Sequence, residues 1–171
     1  LRGKALMSDE TRQINELVRL SDNVFQGPAA FSLMANLKNV RDEDWNTAPP
    51  GGNRTIADIL GHVGAAKWLY QDHAFGPGTL KLDPPPLDDS GKVISPPREE
   101  MLNWLKEAHQ AWIAGLNALA NDSELDRDRT VFWGGTLPTR VIVHIVIAHD
   151  TYHAGEINHI RALLQKNDHW D

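Results

Sequence analysis

The feature of this sequence that most restricts its fold is the long run from about Pro138 to Gln165, which has no internal proline. Drawn at about 100° per residue, its apolar residues form one stripe, as in an α-helix and unlike a strand. A helix with such a stripe buries it against other elements of the fold. The stripe consists of Ile142, Ile145, Val146, Ile160, Leu163 and Leu164. We therefore expect this stripe to face the core of a helical protein.

Four further segments are predicted to be helical, and strand signals are nearly absent. Proline and glycine clusters separate the segments. The predicted fold class is all-α: an antiparallel four-helix bundle with an extra short helix and a long proline-rich loop at 76–97. The predicted helices are 10–23, 28–40 (the short one), 55–75, 98–120 and 138–165.

Helix starts are marked by residues suited to the first turn. Ser8 or Asp9 is predicted to cap the first helix, and Pro28 is suited to begin the second. Thr55 and Asp58 have the spacing of a capping box at the start of the third.

The length of 171 residues fits a single domain. We expect residues 1–9 to be an N-terminal extension, 10–166 to form the domain and 167–171 to be a tail. Met7 is an alternative native start, which would make residues 1–6 an added segment.

Composition excludes several classes of function. There are no cysteines, so a metal site would have to use His, Asp or Glu. The net charge of −6 and the lack of a basic stripe argue against a nucleic-acid partner. No apolar run approaches the roughly 20 residues that cross a membrane. A cytoplasmic location is the expectation.

The apolar stripe of the last segment contains three polar residues that point to a metal site. Relative to His149, His153 lies at about +40° and Glu156 at about −20° on the helix. Unpaired polar groups cost roughly 1–3 kcal/mol when buried. Histidines at i and i+4 can hold one metal ion between them. We therefore interpret His149 and His153 as ligands of one divalent metal.

The third ligand is expected from another helix, and His62 is the best candidate. It shares a face with Ile59, Ala66 and Leu69, which suggests that it points inward. Asp58, one turn earlier, is interpreted mainly as a capping residue. The other histidines are interpreted as structural: His109 as a core residue, His73 as too distant, and His144, His159 and His169 as surface residues.

These residues carry a resemblance to a known family. The segment from His149 to Ile157 resembles the His-x3-His-x-Gly-Gln-Ile signature of the DinB-like (DinB/YfiT-like) family, bacterial four-helix-bundle proteins that include candidate metalloenzymes. The segment Thr55–His62 is similar to the family's upstream motif, which ends in the third histidine. Phe25–Pro28 and Trp133–Pro138 fit one branch of it. The resemblance covers roughly residues 10–166.

The resemblance implies a three-histidine site, His62, His149 and His153, that binds zinc or nickel with open positions. Some relatives use low-molecular-weight thiols such as bacillithiol or mycothiol to transfer or isomerise substrates. Glu156 stands where the family usually has glutamine. It is a candidate fourth ligand, general base or hydrogen-bond partner of a histidine, and we favour the last.

Three functional hypotheses remain open. The leading one is a metal-dependent enzyme, transferase or hydrolase, with a small-molecule substrate. The second is a non-catalytic metal-stabilised bundle or stress-related binding protein. The third has no metal, and the histidines and Glu156 form a buried hydrogen-bonded cluster. A peptidase is disfavoured because Asp150 stands where the zincin motif has glutamate, and its shorter side chain is less suited to act as the base. Exposed Trp and Leu residues leave a homodimer open.

Overall fold

Five α-helices dominate the computed structural model, which describes residues 9–28, 31–81, 89 and 95–167. Helices make up 68% of the residues that the structure describes, which confirms the all-α prediction. The helices are α1 (Arg12–Gln26), α2 (Leu33–Lys38), α3 (Ile56–Phe75), α4 (Arg98–Asn117) and α5 (Thr139–Gln165). Most of the predicted proline-rich loop lies outside the described residues.

A small antiparallel hairpin precedes α5 and was not predicted. Strand β1 (Asp128–Thr130) pairs with β2 (Thr136–Pro138), with Arg129 opposite Leu137. Gly134 and Gly135 have φ of +97° and +86°, a conformation that glycine adopts without strain. The Gly-Gly pair was therefore the sequence signal for this turn.

The four long helices contact one another in a ring, in which α3 touches α4 and α5, and α1 touches α4 and α5. Gly64 of α3 lies against Trp104 of α4, and Gly115 of α4 lies against Phe75 of α3. An added Cβ would lie 2.1 Å from the Trp104 ring and 2.3 Å from the Phe75 ring, so each glycine makes room for an aromatic side chain. The first contact joins the N-terminal halves of the two helices and the second joins their C-terminal ends, so α3 and α4 run parallel.

The predicted antiparallel arrangement is therefore wrong for two of the four neighbouring pairs. Arg140 near the start of α5 bonds to Gln13 near the start of α1, so these helices are also parallel. The pairs α1–α4 and α3–α5 are antiparallel. The reason is that α3 ends at the opposite end of the molecule from the start of α4, and the segment 76–97 is long enough for a crossover connection.

Two apolar clusters fill the interior, one toward each end of the ring. Near the boundary between the two clusters, each long helix has a buried polar residue, apart from the histidine cluster described below. These four residues, which we call the polar layer, are Ser21 (α1), Lys67 (α3), His109 (α4) and Asp150 (α5). The core is thus apolar at both ends and polar in the middle.

The helix starts agree only partly with the sequence prediction. Thr55 and Asp58 form the predicted capping box of α3. The short helix begins at Leu33 with Ser32 as its cap, rather than at Pro28, because the Ser32 hydroxyl accepts a bond from the Ala35 amide. The prediction of Ser8 or Asp9 as the cap of α1 is wrong, since Thr11 holds that position and makes no side-chain cap bond.

A distant residue, Asp122, satisfies the free amides at the start of α1. Its two carboxylate oxygens accept hydrogen bonds from the amides of Gln13, at 2.9 Å, and Ile14, at 3.0 Å. The negative charge also suits the positive end of the helix dipole. Asp122 therefore joins the segment after α4 to the start of α1.

We expect Asp122→Ala to lower the free energy of unfolding by about 1 kcal/mol, the usual cost of losing a cap. Urea denaturation followed by circular dichroism measures it. Asp128→Ala, which removes an exposed carboxylate without a described partner, is the control and should change stability by less than about 0.5 kcal/mol. Equal effects of the two substitutions would contradict the capping role.

Candidate metal centre

Helices α3 and α5 bring His62, His149 and His153 together. The ring centroids lie 5.0 Å apart for His62–His149 and for His62–His153, and 4.4 Å apart for His149–His153. One ligand atom from each ring lies within 4.8 Å of the others. The i, i+4 pair on α5 and the antiparallel approach of α3 together produce this convergence.

The spacing of these nitrogens fits a metal ion. The Nε2 atoms of His62 and His149 are 3.1 Å apart. Two nitrogens bound tetrahedrally to one zinc ion at about 2.0–2.1 Å lie about 3.3 Å apart. Only small side-chain adjustments would therefore let the three rings share one ion.

The protonation of the cluster also suits metal binding. Burial lowers the pKa of His149 to about 3, and repulsion from His153, His62 and Lys67 contributes. Burial also lowers the pKa of His62, helped by His153 and Arg54. His62 and His149 are therefore neutral at pH 7, with nitrogen lone pairs available to a metal.

Glu156 is held beside the cluster by two partners. One of its carboxylate oxygens lies 2.8 Å from Nδ1 of His153, and the other accepts a bond from Arg54 at 2.5 Å. An Nδ1–H of His153 donating to Glu156 leaves Nε2 as the ligand atom. Arg54 was not predicted from the sequence, because no motif identifies an arginine that pairs with a glutamate about a hundred residues away.

The histidine cluster opens to the surface rather than lying inside the core. His153 is buried and His149 half-buried, but His62 is exposed, so the inward orientation expected for His62 is wrong. The physical reason is that α3 has buried residues on nearly every side, from Ile56 to Ala74. A helical wheel therefore could not identify its exposed edge.

Beneath the cluster, a buried ion pair joins the same two helices. Nζ of Lys67 donates to Oδ2 of Asp150 at 2.6 Å, and the two side chains are 1% and 2% exposed. Burial raises the pKa of the Asp150 carboxyl, and the Lys67 ammonium opposes that rise. Asp150 follows His149 directly in the chain, yet its carboxylate points to Lys67, which agrees with the case against a peptidase.

The remaining histidines match their structural interpretation where the structure describes them. His109 is buried, stacks on Phe25 with ring centroids 3.8 Å apart and lies 3.2 Å from an Asp22 oxygen. His73 lies 2.9 Å from the Leu80 carbonyl oxygen. His144 and His159 are exposed, and His169 lies outside the described residues.

The histidine cluster does not line either of two surface clefts in the described chain. These clefts, of about 540 and 620 Å³, are lined by other residues. The first includes Phe75 and Gly115, and the second lies beside Trp45 and Arg98. The case for a site at the histidines therefore depends on ligand chemistry and geometry.

Comparison with known proteins identifies a family. A family model described as the DinB superfamily matches residues 32–157, which include all three histidines. No curated protein and no solved structure matches the chain. Among the helices of the described chain, none combines the length and apolarity that crossing a membrane requires.

We expect His62→Ala, His149→Ala and His153→Ala each to weaken binding of zinc by about 100-fold or more, since even loss of a ligand's outer partner costs 10–100-fold. Titration against a competing chelator measures the affinity. His144→Ala, on the exposed side of α5, removes the same ring and should leave the affinity unchanged. Zinc affinity that is insensitive to the three substitutions would contradict the site.

Lys67→Met should lower the free energy of unfolding by about 3–5 kcal/mol, because it leaves the Asp150 carboxylate buried without its partner. The double variant Lys67→Met/Asp150→Leu should regain most of that loss, since apolar pairs often replace buried ion pairs at little cost. Urea denaturation at pH 7 tests both. A loss below about 1 kcal/mol for the single variant would show that the pair is not holding α3 to α5.

Proposed function

This chain belongs to the DinB superfamily, and we propose that it is a divalent-metal-dependent enzyme for a small electrophilic substrate. In this proposal His62, His149 and His153 bind the metal. The supporting observation is that three histidines converge at a site open on the His62 side. A site with three protein ligands keeps a position for water or substrate, as catalytic sites do.

When bound, the metal would act as a Lewis acid that lowers the pKa of a coordinated water or thiol. The chain's own residues prepare the site for it. Glu156 accepts a hydrogen bond from Nδ1–H of His153 and so directs Nε2 toward the other two rings. Arg54 holds the second carboxylate oxygen of Glu156, which keeps this carboxylate turned from the metal position. The metal is proposed to be zinc or nickel.

A low-molecular-weight thiol is proposed as cosubstrate, following the resemblance to thiol-using relatives. The reaction would be transfer or isomerisation of a small electrophile in the cytoplasm. The homodimer stays a prediction from the sequence.

A non-catalytic metal-stabilised protein is the alternative. The observation that favours it is that the three histidines join α3 to α5, so that a metal would cross-link two of the four long helices. A structural site would be closed by a fourth protein ligand, for which Glu156 is the nearest candidate. The two hypotheses therefore differ in the role of Glu156.

Cobalt-substituted protein, prepared without a His tag, distinguishes them. We expect 2-mercaptoethanol to add a thiolate-to-cobalt absorption band, because a free position can take the thiol. Glu156→Gln, which restores the family's usual residue, should keep the metal and the band. His153→Ala should lose both. If 2-mercaptoethanol does not change the wild-type spectrum and Glu156→Gln loses its cobalt, the protein is metal-stabilised rather than catalytic.

A further inference from the structure

A group of three aromatic rings lies at the His149 end of the cluster, with Tyr70 buried, Phe132 half-buried and Trp133 exposed. Tyr70 contacts His149 with ring centroids 6.5 Å apart, and Trp133 contacts Tyr70 at 5.9 Å. Phe132 supports both, at 5.5 Å from Tyr70 and 4.8 Å from Trp133. Trp133 nevertheless remains 53% exposed, at the tip of the β1–β2 hairpin. A large apolar ring held in place but left in water is a surface suited to a flat ligand.

A cationic group lies at the other end of the cluster. The Arg54 side chain is 55% exposed and uses Nη2 for Glu156, while its Nε and Nη1 have no partner in the part of the chain that the structure describes. Tyr152, 65% exposed, packs edge-on against His153 with centroids 5.0 Å apart. Because Tyr152 and Glu156 are four residues apart on α5, Tyr152 and Arg54 border the same end of the site.

The two ends are a short distance apart along α5. From His149 to Glu156 the helix rises about 10 Å, with His153 between them. Trp133 and Arg54 contact Tyr70 and Glu156 rather than the histidines, so a molecule with a ring at one end and an acid at the other reaches both through its own length plus a contact distance at each end. The histidines would then lie beside the middle of such a molecule.

Charge favours an anionic group at the Arg54 end. With a divalent metal on neutral histidines, Arg54 and Glu156 cancel and the site is net positive. A carboxylate can take two parallel bonds from a guanidinium. Asp58 lies just beyond Arg54 on the first turn of α3, and its negative charge disfavours a multiply charged group such as phosphate.

On the basis of the proposed function, we infer that the site takes a small monocarboxylate with a flat apolar body. Its carboxylate binds Arg54, its apolar body lies on Trp133, and the group between them faces the three histidines. Trp133 and Arg54 are thus specificity residues that act by direct contact with the ligand.

Hippurate serves as a probe, because it carries a phenyl ring, a central amide and one carboxylate. Its controls are hippuramide, which lacks the charge, and N-acetylglycine, which lacks the ring. Calorimetric titration of zinc-loaded protein should show hippurate binding about tenfold or more tightly than either control, as expected for loss of one charge-assisted bond or one stacked ring. Equal affinities for the three compounds would overturn the inference.

Matched variants test whether Trp133 binds the ring of the ligand and Arg54 its carboxylate. Trp133→Ser should abolish the preference over N-acetylglycine, and Trp133→Phe should keep most of it. Arg54→Gln should abolish the preference over hippuramide, and Arg54→Lys should keep part of it. Arg127→Gln, which changes an exposed arginine paired with Glu124, should have no effect. Unchanged preferences in both Trp133→Ser and Arg54→Gln would overturn the inference.

The zinc content of every sample separates this inference from the proposed function. Protein that holds zinc on the three histidines but shows no preference for hippurate overturns the ligand class and leaves the metal-dependent function standing. Protein that cannot hold zinc overturns the proposed function and this inference with it.

Discussion

The buried ion pair between Lys67 and Asp150 is the contact on which the candidate site depends. It joins α3 to α5 in the polar layer, near the boundary between the two apolar clusters. Moving α3 along α5 would separate the pair and leave two charges buried alone, which costs several kcal/mol. The apolar clusters alone would tolerate such a shift better, because apolar contacts have no direction. The pair therefore sets the register of these two helices.

The same register makes the histidines converge. His62 lies just over one turn before Lys67 on α3, and His149 directly precedes Asp150 on α5. Because the helices run antiparallel, the register that joins the ion pair also brings His62 opposite the His149–His153 pair. The interior thus positions the three histidines of the candidate metal site at the surface.

The surroundings of the cluster are asymmetric along α5. Aromatic rings lie at the His149 end, and the Arg54–Glu156 pair lies at the other. The hairpin that holds Trp133 and the loop that holds Arg54 come from separate parts of the chain. The candidate site therefore has different chemistry at its two ends.

Local patterns in the sequence determined the helices, the Thr55–Asp58 capping box and the His149–His153 pair, because each depends on spacing within one helix. Only the tertiary structure decided features that depend on distant segments. Asp122 caps α1, α3 and α4 run parallel, and Arg54 holds Glu156. The exposure of His62 also depends on the tertiary structure. Because α3 is apolar on most sides, the packing of the neighbouring helices determines which of its edges is exposed to solvent. Lys67 shows the difference most clearly: a lysine is usually a surface residue, and only its partner on α5 stabilises it in the core.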